Sequence, residues 1–262
     1  MNWEAYLFDE NEKPLDRFPQ SGISRTAIFR TIGFIGDSFS SGEFEAHPKN
    51  GKARGYDLYE YSWGQYIARK NSLIGYNFSM GGMTAKWYLE RFADERGFWD
   101  PEKACSAYVI ALGHNDIYNA HMEIGSIQDI DPVDYRCNKA TFTGCYAAIV
   151  SRYKEISPDA KFFFVTVPNT EYTAPNPQTL SMINALYAMA DYFENAYMID
   201  LYRYGPVHNN QFQKRFYLHN HLNPDGYILT AELIDAYIDY IVRHNPEDFK
   251  NAGFINTSIP YK

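Results

Sequence analysis

Five short apolar runs, each cut off by a turn-forming residue and set far enough apart to hold a helix between them, constrain the fold of this chain most. They are residues 32–35, 74–78, 107–112, 161–168 and 197–201. A run that is apolar at nearly every position reads as a strand buried on both faces, which is the pattern of a parallel sheet. The intervening stretches carry helix signals. Ser62 is placed to cap a helix through residue 70, and Thr84 one over 85–92. Helical spacing extends over 138–156 and 178–195, and Asn223-Pro224 reads as N-cap and first residue of a last helix reaching about residue 243. Strands alternating with helices give an α/β protein with helices on both sides of the sheet. Right-handed crossovers on five strands favour the flavodoxin-like order 2-1-3-4-5, a three-layer α/β/α sandwich. One domain over residues 1–262 is expected, with residues 1–30 an extended lead-in carrying Pro14, Pro19 and Gly22.

In such a sheet chemistry gathers at the carboxyl ends of the strands, where the strand order reverses. The first run ends in Gly36-Asp37-Ser38-Phe39-Ser40-Ser41-Gly42. A serine on a tight turn at that point is a candidate nucleophile; the plainer alternative is a helix cap. The second run ends in Ser79-Met80-Gly81-Gly82-Met83-Thr84, and the third in Gly113-His114-Asn115-Asp116. Near the C-terminus stands His219-Asn220-His221-Leu222-Asn223-Pro224-Asp225-Gly226-Tyr227. Between the first two runs, residues 43–61 exceed an ordinary strand-to-helix connection, so a lid or binding loop is expected there.

These four stretches, in this order, resemble the sequence blocks of the SGNH (GDSL-type) hydrolases. The resemblance implies a serine esterase of three-layer fold that works without a cofactor or metal. It implies Ser38 as nucleophile and His221 as base, with an oxyanion hole built from the backbone N–H groups of Ser38 and Gly82 and the side-chain amide of Asn115. The residue chemistry agrees. A serine hydroxyl needs an adjacent base, a glycine lets the main chain approach a ligand, and an asparagine donates where an aspartate cannot. His114, Tyr56 and Trp63 are candidate substrate-binding residues. Asp37 and Asp116 are expected to tie loops to nearby N–H groups.

One member of the pattern is absent. The family usually carries an aspartate three residues before its histidine, and here that position is Leu218. Three explanations stand side by side. A Ser-His dyad would turn its other ring nitrogen to a backbone carbonyl. An acid from elsewhere would replace the aspartate, with Asp200, Glu43 and Asp225 as candidates. A site without turnover would only bind acylated sugars.

Composition narrows the partners. Net charge is -8, against a general nucleic-acid binder and against docking on anionic membranes. The start, Met1-Asn2-Trp3-Glu4, lacks a basic segment leading into an apolar one, so a cytoplasmic protein is expected. Cys105, Cys137 and Cys145 show no metal-ligand spacing, and an odd count fits reduced thiols. Aromatic residues make up 17% of the chain. Together with the tyrosine-rich, polar stretch 43–63 they favour removal of a small acyl group, acetyl above all, from a carbohydrate. A lysophospholipase or thioesterase is the rival, and a phosphate-cradling flavin-type binder is the alternative from another class.

Overall fold

The structure, a computed structural model, describes residues 11–18, 24–46, 51–170 and 176–259. All five apolar runs form strands of one parallel sheet. They are β1 (Thr31–Gly36), β4 (Ile74–Ser79), β5 (Ala107–Ala111), β6 (Lys161–Val165) and β7 (Ala196–Ile199). The order is β4-β1-β5-β6-β7, the flavodoxin-like arrangement expected from the sequence. β1 pairs with β4 on one side, Gly36 opposite Ser79, and with β5 on the other, Gly36 opposite Ala111. The chain therefore crosses over β1 between its second and third strands, and the crevice opens at the carboxyl end of β1.

Alternation along each strand divides the core in two. Ile35, Phe78, Tyr108, Ile110, Phe162 and Phe164 face one side, under α3 (Ala85–Trp87), α5 (Phe142–Ile156) and α6 (Pro177–Tyr192). Ile32, Phe34, Val109, Phe163 and Val165 face the other, under α2 (Trp63–Asn71) and α9 (Pro224–His244). Each fully buried phenylalanine contributes roughly 1.5–3 kcal/mol over leaving it in water.

The caps at Ser62, Thr84 and Asn223 form as expected, each side chain accepting from the backbone N–H three residues on. Two helices differ from expectation. α3 continues through a π-helical stretch, Tyr88–Phe92, into α4 (Ala93–Glu95). α5 starts at Phe142 rather than 138, because Thr141 is its cap and Asn138 instead accepts from Asp131 N and donates to Gly144 O.

The larger departure lies between β1 and α2. Where a long binding loop is expected, the chain builds a β-hairpin from β2 (Glu43–Ala46) and β3 (Arg54–Asp57), with Glu43 opposite Asp57 and Phe44 opposite Tyr56. His47 and the rest of residues 47–50 lie outside the described residues, as do Pro19 and Gly22 of the lead-in. The described lead-in contains a turn at 14–16 and a 3-10 turn, Arg25–Ile28. Among the described residues no helix is long and apolar enough to cross a membrane.

Gly64 in α2 tests how tightly the α2/α9 layer is packed. Gly64 is the second residue of α2, and replacing a helical glycine by alanine ordinarily stabilises, by up to about 1 kcal/mol in a helix interior. Here a Cβ would sit 2.6 Å from the Phe34 ring, and overpacking costs roughly 1–3 kcal/mol. Gly64→Ala is expected to lower stability in urea unfolding, with the midpoint moving down rather than up.

Candidate active site

The β1 strand ends in a short helix, α1 (Ser38–Ser41). Its N-cap is Asp37, whose carboxylate accepts from Phe39 N at 3.1 Å. Ser38 is thus the first helical residue and not the cap, so its hydroxyl is left for other work. That hydroxyl has no hydrogen-bond partner among the described residues.

His221 arrives from the far end of the chain. After α8 (Asn210–Phe216), β8 (Tyr217–Leu218) and β9 (His221–Leu222) form a two-residue hairpin that pairs Leu218 with His221. β9 lies against both α1 and β2. The His221 ring packs on Phe39, centroids 5.7 Å apart. Tyr227, in the first turns of α9, fastens the pieces: its hydroxyl donates to Glu43 O at 2.7 Å and reaches Ser38 O at 3.5 Å.

Gly82 follows β4 and Asn115 follows β5, so the expected oxyanion residues come to the same rim. Gly82 has φ +75° with open space around its Cβ position; the backbone conformation, not crowding, calls for glycine. The N–H groups of Ser38 and Gly82 meet no acceptor among the described residues. Asn115 is differently placed. It is buried, and its amide nitrogen donates to Asp37 Oδ2 and to Met83 O, both at 3.2 Å, while its oxygen accepts from Asn119 Nδ2 at 2.6 Å.

Both structural aspartates tie loops as expected. Asp116 accepts from Ala85 N at 2.8 Å, and its other oxygen is buried without a partner. Burial pushes the Asp37 carboxyl up to about 7 and that of Asp116 up to about 6.

Of the three candidate acids, two are engaged elsewhere. Asp200 binds Tyr187 Oη and caps α7 (Leu201–Tyr204); Asp225 pairs with Arg215. Glu43 does approach the imidazole: Oε1 lies 3.6 Å from His221 Nε2. A carboxylate that sequence reasoning missed stands beside it. Glu45 Oε2 lies 3.7 Å from His221 Nδ1 and accepts from Asn220 N at 3.2 Å. Positions two apart on a strand share a face, so Glu43-Phe44-Glu45 carried the signal. Phe44 turns the other way, onto Tyr61 and Tyr227. Leu218 is 41% exposed.

Burial raises the Glu43 carboxyl above its usual range. His221 opposes the rise, and Asp57 and Glu45 add to it. The Glu43 carboxylate leaves no room for a Cβ at Gly55 or Gly81. Asp57 latches the hairpin to the rim, accepting from Ser41 Oγ and from Gly81 N. Among the described residues no three His, Cys, Asp or Glu side chains converge as metal ligands would, and the three cysteines are unpaired.

Beside His114 and Phe39 opens a cavity of ≈ 160 Å³, walled mainly by apolar residues including Leu112, Val167, Leu222 and Ile234. The expected substrate-binding residues divide around it. His114 lines it, its ring against Tyr118, with its pKa lowered by burial and by the His221 charge. Trp63 is only 2% exposed, edge-on to Phe34, and meets the cavity as part of its wall. Tyr56 is 47% exposed on β3, outside the cavity lining.

A five-stranded parallel sheet with helices packed on both faces, and with Ser38, Gly82, Asn115 and His221 on segments that gather at its carboxyl rim, is the three-layer α/β/α architecture expected from the sequence. Residues 34–229 match the GDSL-like Lipase/Acylhydrolase family, and the chain belongs to that family; it is a carboxylic ester hydrolase. Several solved structures share the fold. One is a carbohydrate esterase family 2 enzyme with a carbohydrate-binding domain from Corynascus thermopiles (Myceliophthora fergusii), 18% identical, TM-score 0.57, matching 88% of this chain and 69% of that one. A family two carbohydrate esterase from Clostridium thermocellum in complex with cellohexaose is 15% identical, TM-score 0.52, over 84% of this chain and 65% of that one. The psychrotrophic esterase EstA from Pseudoalteromonas sp., inhibited by monoethylphosphonate, is 13% identical, TM-score 0.53, over 81% and 98%. No curated protein matches the sequence.

The buried Asp37 carboxyl sets a pH dependence. Its folded pKa, about 7, lies above the ordinary 3.8. Between those values the folded chain holds a proton that the unfolded chain releases, so stability is highest at the acid end and falls as pH rises to about 7. Asp37→Asn removes this contribution, while Asp116, shifted the same way, keeps its own. Urea unfolding from pH 4 to 8 is expected to show a shallower loss in the variant, the difference bounded by about 1.4 kcal/mol per pH unit.

Proposed function

We propose that the protein is a serine esterase that removes a small acyl group, acetyl above all, from a carbohydrate ester through a covalent acyl-enzyme. The observation that supports this reading is the contact of α1, which carries Ser38, with β9, which carries His221. The unengaged N–H groups of Ser38 and Gly82 lie on the same rim.

Ser38 Oγ attacks the ester carbonyl and gives its proton to His221. The oxyanion takes hydrogen bonds from the N–H groups of Ser38 and Gly82, each such donor worth roughly 2.7–4 kcal/mol in the transition state. Asn115 becomes a third donor once one amide hydrogen leaves Asp37 or Met83 O. The imidazolium returns its proton to the departing alcohol, and water activated by the same ring frees the acid. Catalytic hydrogen bonds are often long in a free enzyme and tighten around substrate. The carbohydrate part of the reading rests on the tyrosine-rich hairpin and on the aromatic composition. Carbohydrate esterases among the structural neighbours support it.

The cavity beside His114 favours a second reading of the acyl group. Its ≈ 160 Å³ is close to a cavity of about 150 Å³ that accepts benzene, so acyl groups of up to about six carbons would fit.

Two measurements test these readings. An organophosphonate reagent is expected to label Ser38, located by mass spectrometry, and Ser38→Ala is expected to lose p-nitrophenyl acetate hydrolysis by at least about 10³-fold. Retained activity without labelling refutes the serine mechanism. In a p-nitrophenyl ester series the highest kcat/KM is expected at acetate. A maximum near six carbons assigns the acyl group to the cavity, and one at eight or more favours the lysophospholipase or thioesterase alternative.

A further inference from the structure

The Leu218 position leaves His221 without the acid the family usually supplies from the same loop, and the structure brings a carboxylate to that ring from another part of the chain. We infer that Glu45, on the β2 strand of the hairpin, is the positioning acid for His221, holding the Nδ1 proton so that Nε2 is presented to Ser38. This rests on the serine-esterase reading and assigns one more residue to that same site.

Four observations converge on Glu45. His221 Nδ1 is buried and has no hydrogen-bond partner among the described residues, and a buried polar atom left so is costly. Glu45 Oε2 stands 3.7 Å from that nitrogen, and an approach of about 0.8–1.0 Å brings it to the roughly 2.7–2.9 Å of a charge-assisted bond. The carboxylate is already oriented, since its Oε2 accepts from Asn220 N at 3.2 Å. Asn220 lies in the same turn as His221, so this bond holds the acid in register with the base. Finally, the alternation of β2 sends the Glu45 side chain toward β9 while Phe44 anchors the strand on Tyr61 and Tyr227.

Glu43 is the weaker candidate. It faces Nε2, the nitrogen that must address Ser38. Its carboxyl sits against two glycines, between Asp57 and Glu45, whose charges both disfavour its ionisation.

In the catalytic cycle no group is consumed at Glu45. Nε2 takes the Ser38 proton, Nδ1 keeps its own, and the carboxylate stabilises the imidazolium and fixes the ring. The titratable groups facing the ring are Glu43 and Glu45 of β2 and His114 beyond β5. Burial raises the phenols of Tyr217 and Tyr227, on β8 and α9, and keeps both neutral across the working range. Losing the Glu45 charge removes a stabiliser of the protonated ring, so the acid limb of the kcat/KM profile moves to lower pH.

The experiment compares wild type, Glu45→Gln, Glu45→Asp and Glu43→Gln on p-nitrophenyl acetate over pH 5–9, with phosphonate labelling of Ser38 in each. Glu45→Gln keeps the acceptor for Asn220 N and is expected to fold. Its kcat is expected to fall at least tenfold, toward the roughly 10⁴-fold loss known for a missing triad acid. KM should stay within about twofold and the acid limb should move down, with Glu45→Asp recovering part of kcat. A Glu45→Gln loss below tenfold, an unmoved acid limb, or a loss carried by Glu43→Gln instead overturns the assignment while wild type still turns over and labels. An inactive, unlabelled wild type overturns the serine-esterase reading itself.

Discussion

The buried carboxyl of Asp37 is the joint on which the rim of the sheet depends. It sits where β1 ends and does two things at once. It receives the Phe39 N–H that starts α1 and the Asn115 amide that arrives from β5. A cap alone is worth about 1 kcal/mol, but this one also decides which residue of Gly36-Asp37-Ser38 faces the crevice. With the aspartate as cap, the serine becomes the first helical residue with a free hydroxyl. Removing that carboxyl from water is costly, and its raised pKa reports the cost. β1 itself carries no ionisable side chain, its residues after Thr31 being apolar or glycine, so Asp37 is the first carboxyl the chain meets beyond the strand.

A second set of contacts works outward from the same joint. Asp57 ties Ser41 to Gly81, and Tyr227 ties Glu43 to the neighbourhood of Ser38. Through these two residues α1, the glycine turn, the hairpin and the start of α9 are linked across more than 180 residues of sequence. None of the links is a large apolar contact. These directional bonds work together with Phe39, Phe44 and Tyr227, whose rings join the rim to the hydrophobic layer under α2 and α9.

The sequence disclosed the sheet because each core strand is a dense apolar run between breakers, and because crossover handedness leaves few orders for five such strands. It disclosed the caps at Ser62, Thr84 and Asn223 because a cap is a local event within three residues. The hairpin was hidden for the opposite reason. Its strands are four residues long and mostly exposed, with a polar connection, so their pairing rests on contacts to β9 and α9 that no local pattern encodes. The same holds for Glu45. Its significance comes from a partner 176 positions away, visible only once β9 lies beside β2. The start of α5 was misplaced because Asn138 and Thr141 are both good caps, and tertiary bonds to Asp131 N and Gly144 O drew Asn138 out of the competition.

Moving the acid from the histidine loop to a hairpin changes what the site responds to. An aspartate three residues before the histidine travels with it and cannot be withdrawn separately. A glutamate on β2 reaches the ring only while the hairpin lies against β9, and it stays in register through one backbone bond to Asn220. The side facing solvent carries Tyr56, so whatever settles on that aromatic face bears on the hairpin that carries Glu45.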